Sequence, residues 1–334
     1  MLAYARQVVS SRWFIKGIFF FIFVWLCWQL LRFTQWARGY GEFVPRPEAV
    51  AGILPIGHFT SFIAWLKGGG WDTLLPAGLV IIIGAIVLSI LLKRGFCGWV
   101  CPVGTLWEFA SALGRKVMGR GNFRPPRWAD RSAIGFRYLL TALFFGWLTM
   151  VSVEEALWFR ELPYMWVADI KIVEGFFEPA FIVIALLAFT VSMLLGPVWC
   201  RWLCPLGGLY SVFGLASACT VVRDETKCVD CRKCSRACHA FVDVHTARDV
   251  RAVECDGCMD CVRVCPVDDC ITPRVARRWR FPVWIWPLAV AGVWFAIWAT
   301  AELTGNWDTT IPVDTFREVI QSGLLEQRTP GGIF

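Results

Sequence analysis

The sequence predicts an all-α integral membrane protein of about five transmembrane helices, with an internally duplicated helix pair and a small cysteine-rich α+β domain. Of its 334 residues, 57% are hydrophobic and only 18% are charged, and the apolar residues are concentrated in long blocks. A soluble domain is roughly 45–50% apolar, so this composition excludes a simple cytosolic enzyme. The fifteen cysteines are mostly close neighbours, which predicts metal ligation rather than the even-numbered disulfide framework of a short secreted chain.

Five apolar stretches are long enough to cross a bilayer, whose core needs about 20 helical residues. They are residues 13–31, 74–92, 133–153, 179–199 and 281–301. Arg137 lies inside the third stretch and is expected to mark its cytoplasmic edge. The first stretch follows Arg6, Arg12 and Lys16 like a signal peptide, but it is long and bulky and has no small-residue cleavage site. We therefore expect a retained anchor.

Lysines and arginines in the short loops predict the orientation, because cytoplasmic loops are enriched in both. Basic residues are concentrated in segments 93–132 and 274–280, whereas segment 154–178 and the C-terminal tail are acidic. We expect a multi-pass protein of the bacterial cytoplasmic (inner) membrane, with a cytoplasmic N-terminus and an extracytoplasmic C-terminus. The net charge of +7 marks the cytoplasmic side, and the sequence predicts no nucleic-acid partner.

One cysteine motif occurs twice, after the second and the fourth apolar stretch. Cys97-Gly-Trp-Val-Cys101-Pro-Val-Gly matches Cys200-Arg-Trp-Leu-Cys204-Pro-Leu-Gly, and the preceding apolar runs also align. Residues four apart share a helix face, with Cβ atoms about 6 Å apart, so each copy is expected to present two thiols together. Side by side, the copies would offer the four sulfurs of a further iron–sulfur cluster or thiolate metal site. Small buried cysteines and paired disulfides are the alternatives.

The most specific motif lies between the fourth and fifth stretches, where eight cysteines form two C-x-x-C-x-x-C-x-x-x-C runs. This is the bacterial ferredoxin pattern, in which each of two [4Fe–4S] clusters takes three cysteines of one run and the fourth of the other. A zinc site needs only two close pairs. We therefore predict a two-cluster ferredoxin domain on the cytoplasmic side. Its cluster 1 would be held by Cys228, Cys231, Cys234 and Cys265, and its cluster 2 by Cys238, Cys255, Cys258 and Cys261.

The remaining cysteines are given no ligand role. Cys27 lies in an apolar stretch, Cys219 precedes the first ferredoxin run, and Cys270 is expected to pack beside a cluster. His239 follows Cys238 where proline is usual, and the spacing is one residue too long for a haem-attachment motif. We expect His239 to be a turn residue.

The three histidines all lie outside the apolar stretches, so the chain offers no axial haem ligands at membrane depth. His58, in the first outer loop, is a candidate quinol contact, because imidazole can accept the proton released on quinol oxidation. Glu154 and Glu155, at another outer helix end, are candidates for the same work. A solvated loop histidine and a solvated acidic face are the alternatives.

These motifs divide the chain into four expected segments. Residues 1–132 form the first membrane repeat with its basic loop, and residues 133–218 form the second repeat. Residues 219–275 form the ferredoxin domain, and residues 276–334 form the fifth helix and an extracytoplasmic tail.

Paired C-x-x-x-C-P motifs followed by a two-cluster ferredoxin segment resemble the NapH-type membrane ferredoxins, with which the MauN proteins belong. Related membrane modules occur in the NosR regulators and in the FixG/CcoG-type copper-oxidase assembly ferredoxins. The resemblance covers about residues 10–275 and rests on twelve cysteines in register. It implies a quinol dehydrogenase membrane component that draws on the quinone pool, with the cysteines above as cluster ligands. The fifth stretch and the tail segment Pro312-Val-Asp314-Thr-Phe316-Arg317 depart from the family's four-helix plan, which suggests a docking segment.

The leading hypothesis is a membrane-bound iron–sulfur subunit that oxidises quinol in an anaerobic respiratory chain. It would pass the electrons to an extracytoplasmic cytochrome or iron–sulfur partner within a multi-subunit complex. One alternative is a copper reductase or assembly protein that uses the C-x-x-x-C-P thiols, because soft thiolates also suit Cu(I). The other alternative is a membrane redox sensor.

Overall fold

A computed structural model describes residues 2–119, 121–276 and 278–325. The helices within these ranges are α1 (Leu2–Ala37), α2 (Pro55–Leu66), α3 (Pro76–Leu92), α4 (Pro102–Met118), α5 (Arg127–Met150), α6 (Val153–Glu161), α7 (Pro163–Gly175), α8 (Pro179–Leu195), α9 (Pro205–Leu215), α10 (Lys233–Ala237), α11 (Asp260–Arg263), α12 (Ile285–Leu303) and α13 (Val313–Gln321). The strands are β1 (Cys219–Arg223), β2 (Asp249–Val250), β3 (Ile271–Val275) and β4 (Trp279–Arg280). The chain is therefore mostly helical, as predicted.

Three of the described helices are long and apolar enough to cross a membrane: α1 over Arg12–Ala37, α5 and α12. A fourth span results if α7 and α8, which are bent by 67° at their junction, count as one broken span. Helix α3 is apolar but has 17 residues, which is about 26 Å of helix against a bilayer core of about 30 Å. Length and composition thus give three or four spans where the sequence predicted five.

The chain divides into two compact units, each assembled from discontinuous segments. Unit 1 comprises Met1–Phe21, Ala85–Phe144 and Ala185–Phe295. Unit 2 comprises Ile22–Gly84, Phe145–Ile184 and Ala296–Phe334. Every cysteine except Cys27 belongs to unit 1, so the candidate metal ligands all lie in one unit.

The two copies of the cysteine motif in unit 1 have the same local structure. Helices α3 and α8 have 17 residues each and begin at a proline. A five-residue π-turn follows each of them, Phe96–Val100 in one copy and Trp199–Leu203 in the other. The motif proline then starts α4 or α9, because its fixed φ suits the first position of a helix and its missing N–H costs nothing there. The sequence duplication is thus a structural duplication.

A four-stranded antiparallel sheet of order β2-β1-β3-β4 organises the ferredoxin segment. Strand β1 precedes the first cysteine run and β3 follows the second. The two strands pair, with Cys219 opposite Val275, so the sheet brings the two ends of the segment together. In both runs the residue after the second cysteine, Arg232 or Met259, has a positive φ. That residue starts the short helix, α10 or α11, that carries the third cysteine. The segment has the predicted α+β character.

The core of unit 2 is built from α1, α7 and α13. Leu30, Phe33, Val167, Phe316 and Ile320 are buried together there. The tail segment that the sequence suggested for docking therefore packs its aromatic residue into the core of its own unit.

Candidate metal centre

Each C-x-x-x-C-P motif is a π-turn followed by a new helix, which corrects the expectation of one continuous helix face. Cys97 lies within the turn Phe96–Val100. Cys101 follows in an extended conformation (φ −62°, ψ 119°), and its N–H donates to the Phe96 carbonyl at 2.9 Å. The cause is local, because the residue before a proline is excluded from the helical region. Cys204, which also precedes a proline, has nearly the same conformation (φ −70°, ψ 110°).

The second cysteine of each motif caps the helix that follows it. The Gly104 N–H donates to Cys101 Sγ at 3.4 Å, and the Gly207 N–H donates to Cys204 Sγ at 3.3 Å. Such bonds favour the thiolate form of a cysteine. Both second cysteines therefore meet a backbone donor that suits a metal-bound sulfur.

The structure brings the four motif cysteines together within unit 1. Burial raises the pKa of Cys97 to about 12; Arg94 opposes this shift, and Cys101 and Cys204 add to it. Burial also raises the pKa of Cys200 well above its ordinary value, with contributions from Cys204, Cys101 and Cys97. Electrostatic effects of this kind fall off with distance, so the four thiols are near neighbours.

A small cavity of about 40 Å³ lies beside these thiols. Cys97, Gly104 and Cys200 contribute to its wall. The charged and titratable residues of the wall are Arg94, Glu108, Arg201, His239, Glu254 and Asp256. The candidate site therefore combines sulfur donors with many buried charges.

Glu254 connects both motif copies to the second ferredoxin run. Its carboxylate accepts from Arg137 at 2.6 Å and pairs with Arg94 at 3.4 Å, while Arg137 also donates to the Cys200 carbonyl at 3.2 Å. Burial acts to raise the pKa of Glu254, but Arg94 and Arg137 hold it below its usual value. Arg137 is fully buried, so it is a component of this site.

A second charge network surrounds His239, which lies in a turn, as predicted, and is buried. Its Nε2 lies 2.8 Å from Asp256 Oδ2. Glu108 accepts from Arg12 at 2.7 and 2.8 Å and from Lys16 at 2.5 Å, and both cations are fully buried. Burial lowers the pKa of His239, but Asp256 and Glu108 raise it to a net value above the ordinary one. The carboxylates of this network are paired with Arg12, Lys16 and His239, whereas His239 Nδ1 has no hydrogen-bond partner among the described residues.

The residues assigned to cluster 1 lie close to one another. Burial raises the pKa of Cys234, and nearby Cys265 and Cys231 contribute. Burial, Cys265 and Cys228 together raise the pKa of Cys270 to about 12, and its thiol donates to the Asp224 carbonyl at 3.6 Å. Cys270 therefore packs beside this group, as the sequence suggested.

The residues assigned to cluster 2 form a second group. Burial raises the pKa of Cys261 well above its ordinary value, with contributions from Cys255 and Cys238 and a smaller one from Cys234 of the first run. Burial likewise raises the pKa of Cys258, and Cys238 is among the neighbours that add to it. The two groups are thus adjacent.

The donor chemistry of all three groups fits iron–sulfur clusters. Each consists of cysteines alone, and within the described residues none of the fifteen cysteines is in a disulfide. The Val242 N–H donates to Cys238 Sγ at 3.4 Å, as the glycine N–H groups do in the two motifs. Buried thiolates without counter-charge are costly, so binding to iron would stabilise these residues in the form that the backbone donors favour.

The three quinol candidates lie in unit 2, and the structure does not bring them into one site. His58 is buried in α2, at a small cavity of about 20 Å³. Glu154 and Glu155 are exposed in the first turn of α6, and neither lines that cavity. Glu155 forms a capping box with Ser152, which gives this carboxylate a structural role.

Sequence reasoning missed the charged partners of the cysteines. Glu254 and Asp256 directly flank Cys255 in the sequence. These charges beside a predicted ligand could have indicated that both carboxylates belong to the site. The burial of Arg12 and Lys16 had no such signal, because basic residues before a first span ordinarily face the cytoplasm. Their partner Glu108 lies 96 residues from Arg12 in the chain.

Comparison with protein families gives two matches, both to iron–sulfur domains. A family described as a 4Fe-4S binding domain matches residues 74–121 and 177–217, the segments that carry the two C-x-x-x-C-P motifs. A family described as a 4Fe-4S dicluster domain matches residues 220–266. Together they cover all twelve candidate ligands.

Known proteins with similar sequences include YccM of Escherichia coli, whose name proposes a role in electron transport. It is 33% identical over 303 residues, which cover 87% of this chain and 85% of the relative. The ferredoxin-type protein NapH of E. coli is 30% identical over 61% of this chain and 70% of its own length. The regulatory protein NosR of Pseudomonas aeruginosa is 28% identical over 68% of this chain, but over only 32% of its own length. No solved structure matches the chain.

Proposed function

Since this chain belongs to the NapH-type membrane ferredoxin family, which is related to NosR, we propose that it takes electrons from quinol and passes them to a redox partner. The relatives and the 4Fe-4S domains support iron–sulfur electron transfer in a membrane-associated, multi-subunit complex. The proposed acceptor is an extracytoplasmic cytochrome or iron–sulfur protein of an anaerobic respiratory chain.

Two [4Fe–4S] clusters are proposed for the ferredoxin segment, with the ligand sets that the spacing predicts. Cluster 1 takes Cys228, Cys231, Cys234 and Cys265, and cluster 2 takes Cys238, Cys255, Cys258 and Cys261. The proximity of Cys234 to Cys265, and of Cys261 to Cys238, supports the exchange between runs. When bound, such clusters supply one-electron sites whose potentials depend on net charge, hydrogen bonds to sulfur and exposure.

A third cluster is proposed at Cys97, Cys101, Cys200 and Cys204. The observation that carries it is the convergence of these four thiols from the two copies of one π-turn. The 4Fe-4S family match to both segments supports the same assignment. Each motif copy holds two of the four thiols in place. Arg94 lies near Cys97, where its positive charge would stabilise a thiolate.

The proposed location is the bacterial inner membrane, with the N-terminus and the cysteines on the cytoplasmic side and the C-terminus outside. The basic segments 93–132 and 274–280 and the acidic segment 154–178 support this orientation.

Iron and labile-sulfide analysis of anaerobically purified protein tests the number of clusters. Three clusters predict about twelve irons and twelve sulfides per chain, since each cubane holds four of each. The double variant Cys97→Ser/Cys200→Ser should retain about eight irons and the EPR spectra of the ferredoxin clusters. Cys27→Ser, at a cysteine of unit 2, is the matched control and should retain about twelve.

About eight irons in the unsubstituted protein, with spectra that the double variant leaves unchanged, would exclude a third cluster. Stoichiometric copper bound through these thiols after growth in copper would instead favour the copper reductase or assembly alternative.

The electron source is tested separately, by adding menaquinol or ubiquinol anaerobically to the complex with its redox partner. Reduction of the clusters, followed by EPR, is the expected result. Clusters that dithionite reduces but neither quinol reduces would exclude quinol as the donor.

A further inference from the structure

The first C-x-x-x-C-P motif touches the second ferredoxin run backbone to backbone. A Cβ atom at Gly98 would lie 2.7 Å from the Asp256 carbonyl oxygen, so only glycine leaves room for this approach. Beside it, the buried Trp99 donates from Nε1 to the Gly257 carbonyl at 3.2 Å. We call this meeting of Gly98 and Trp99 with Asp256 and Gly257 the turn–loop contact.

The turn–loop contact joins two of the proposed cluster sites. On one side, its residues lie between Cys97 and Cys101, which are assigned to the third cluster. On the other side, its residues lie between Cys255 and Cys258, which are assigned to cluster 2. The chain segments that supply these ligands therefore lie directly against each other within unit 1.

Arg12 strengthens the turn–loop contact from helix α1. Its Nη2 donates to the Gly98 carbonyl at 3.3 Å, and its Nη1 donates to Asp260 Oδ2 at 3.2 Å. Its guanidinium also lies 5.9 Å from the centre of the Trp99 ring. One fully buried cation thus binds both the motif turn and the second ferredoxin run.

The second motif copy directs the same two positions elsewhere. Arg201 and Trp202 stand where the first copy has Gly98 and Trp99. Trp202 Nε1 donates to Asp130 Oδ1 at 3.0 Å, and Arg201 pairs with the same carboxylate at 2.7 Å. The two turns have the same local structure, but the second is held against α5.

The two ferredoxin runs differ in a corresponding way. The loop between the first two cysteines is Val229-Asp230 in the first run and Asp256-Gly257 in the second. Asp230 and Gly257 both have a positive φ, of 47° and 68°, so the loops turn alike. However, Val229 and Asp230 are exposed, whereas Asp256 and Gly257 are buried. The loop of cluster 1 therefore faces outward, and the loop of cluster 2 faces the motif turn.

The position of Arg94 agrees with this arrangement. Burial raises the pKa of Cys97 and of Cys255, and the Arg94 guanidinium opposes the shift at both thiols. Because such effects weaken with distance, Arg94 lies near a ligand of the third cluster and near a ligand of cluster 2. The two sets of thiols thus share one buried counter-charge.

We propose that Gly98 and Trp99 are positioning residues that hold the third cluster site beside cluster 2, so that these two centres exchange electrons directly and cluster 1 exchanges with the third site only through cluster 2. The transfer moves one electron and no atoms, so oxidation at one centre is balanced by reduction at the other. The inference rests on the proposed function, which supplies the three clusters, and adds their order.

The order is tested by EPR on the full-length protein, purified anaerobically in lipid nanodiscs and reduced stepwise with dithionite. The signal of the third cluster is the one that Cys97→Ser/Cys200→Ser removes. In the unsubstituted protein, magnetic interaction with a reduced neighbour should split this signal. Cys258→Ala, at a ligand of cluster 2, should abolish the splitting, whereas Cys231→Ala, at a ligand of cluster 1, should preserve it.

Trp99→Phe tests the positioning role, because it keeps an aromatic ring but removes the N–H that donates to Gly257. The splitting should weaken while the iron content stays unchanged. Hydrogen exchange of the backbone amides of residues 256–260 should accelerate about fivefold, the equivalent of one hydrogen bond worth about 1 kcal/mol. Trp202→Phe makes the same change in the second copy, is the matched control and should alter neither the splitting nor the exchange.

Gly98→Ala is an independent variant, because its Cβ would force the turn away from the Asp256 carbonyl. It should weaken the splitting and accelerate the same amide exchange as Trp99→Phe does. Gly95→Ala is its control, since a Cβ there would make an ordinary contact of 3.4 Å with Leu92 Cβ. Should one of the two variants fail to fold, the other still tests the contact.

An unsplit signal in the unsubstituted protein, or splitting that Cys231→Ala removes and Cys258→Ala preserves, would overturn the proposed order. Splitting and amide exchange unchanged in both Trp99→Phe and Gly98→Ala would overturn the positioning role. In these cases the proposed function survives if the protein holds three clusters that quinol reduces. About eight irons per chain would remove the third cluster and this inference together.

Discussion

Glu254 neutralises two buried arginines at once, and its position beside Cys255 connects that charge balance to a proposed ligand. Arg94 and Arg137 come from different helical repeats, so a single carboxylate joins both motif copies to the ferredoxin segment. At the scale of residues, unit 1 is thus held by long-range ion pairs as well as by its cysteines.

Glu254→Gln should destabilise the protein strongly, because it leaves Arg94 and Arg137 buried without their counter-charge. Breaking a buried pair costs about 3–5 kcal/mol, and we expect a lower midpoint of thermal unfolding and loss of iron. Glu174→Gln is the control, since its pair with Arg38 is partly exposed (27% and 34%) and should contribute no more than about 1 kcal/mol. Equal unfolding midpoints for the two variants would contradict this account.

Cys270 should tune cluster 1 without binding iron. Its thiol donates to the Asp224 carbonyl at 3.6 Å and lies near Cys228 and Cys265, and a polar S–H group beside ligand sulfurs favours the reduced, more negative cluster. Cys270→Ala should lower the midpoint potential of one cluster by on the order of 40 mV, the equivalent of about 1 kcal/mol for one electron. Redox titration followed by EPR measures this shift, and Cys219→Ala is the control at another buried cysteine. Loss of iron from the Cys270 variant would instead indicate a ligand.

His58 should make the protein less stable in mild acid. Burial lowers the pKa of His58 to about 4, although Asp72 and the Ala51 carbonyl oppose the shift and Arg46 adds to it. Between the ordinary value of about 6.5 and pH 4, the unfolded chain takes up a proton that the folded protein excludes, so stability falls as the pH falls, by up to about 3 kcal/mol. The thermal midpoint of His58→Gln should fall less over this range, and parallel pH profiles would refute the prediction.

At the scale of elements, the π-turn explains why two cysteines four apart can serve one site. The extended conformation that proline imposes on Cys101 and Cys204 ends the turn, and the next helix begins at once. The two copies differ in the space around their glycines. A Cβ at Gly104 would lie 2.7 Å from the Cys97 carbonyl, whereas a Cβ at Gly207 would lie 3.4 Å from the Cys200 carbonyl.

Gly104→Ala should therefore distort the first turn, because the contact is with backbone that cannot move aside. We expect a loss of about 1–3 kcal/mol in stability and reduced iron at the third site. Gly207→Ala makes an ordinary contact and removes a flexible residue from a helix, so it should be neutral or stabilising by up to about 1 kcal/mol. Iron content and thermal unfolding of the two variants give the comparison, and equal damage in both copies would contradict it.

At the scale of the whole molecule, the distribution of charge predicts the topology. An alkaline phosphatase fused after Leu325 should be active, and one fused after Gly119 inactive, because that enzyme requires the oxidising side of the membrane. Green fluorescent protein at the same two positions should give the opposite pattern. Inactive phosphatase at Leu325 would show that the proposed number of crossings is wrong.

The family and the iron–sulfur character follow from cysteine spacing, and both are confirmed by the relatives and the matched domains. The spacing is informative because several sulfurs must reach one small cluster from a short loop, which restricts the local sequence. The duplicated motif was equally visible, since both copies keep Cys, Trp, Cys, Pro and Gly in register. The sequence predicted five spans, whereas helix length and composition give three or four. The difference arises because α3 and α8 end after 17 residues and are followed by π-turns.

The sequence by itself determined the family and its iron–sulfur character and predicted which cysteines supply the sulfur, because apolar length and cysteine spacing are local properties of the chain. Only the tertiary structure decided that Arg12, Lys16 and Arg137 are buried ion-pair partners and that His58 lines a cavity. The physical reason is that the energy of a buried charge or an unpaired imidazole depends on groups brought from elsewhere in the chain. The local sequence around a basic residue at a helix end is the same whether its side chain is solvated or paired with a carboxylate 96 residues away.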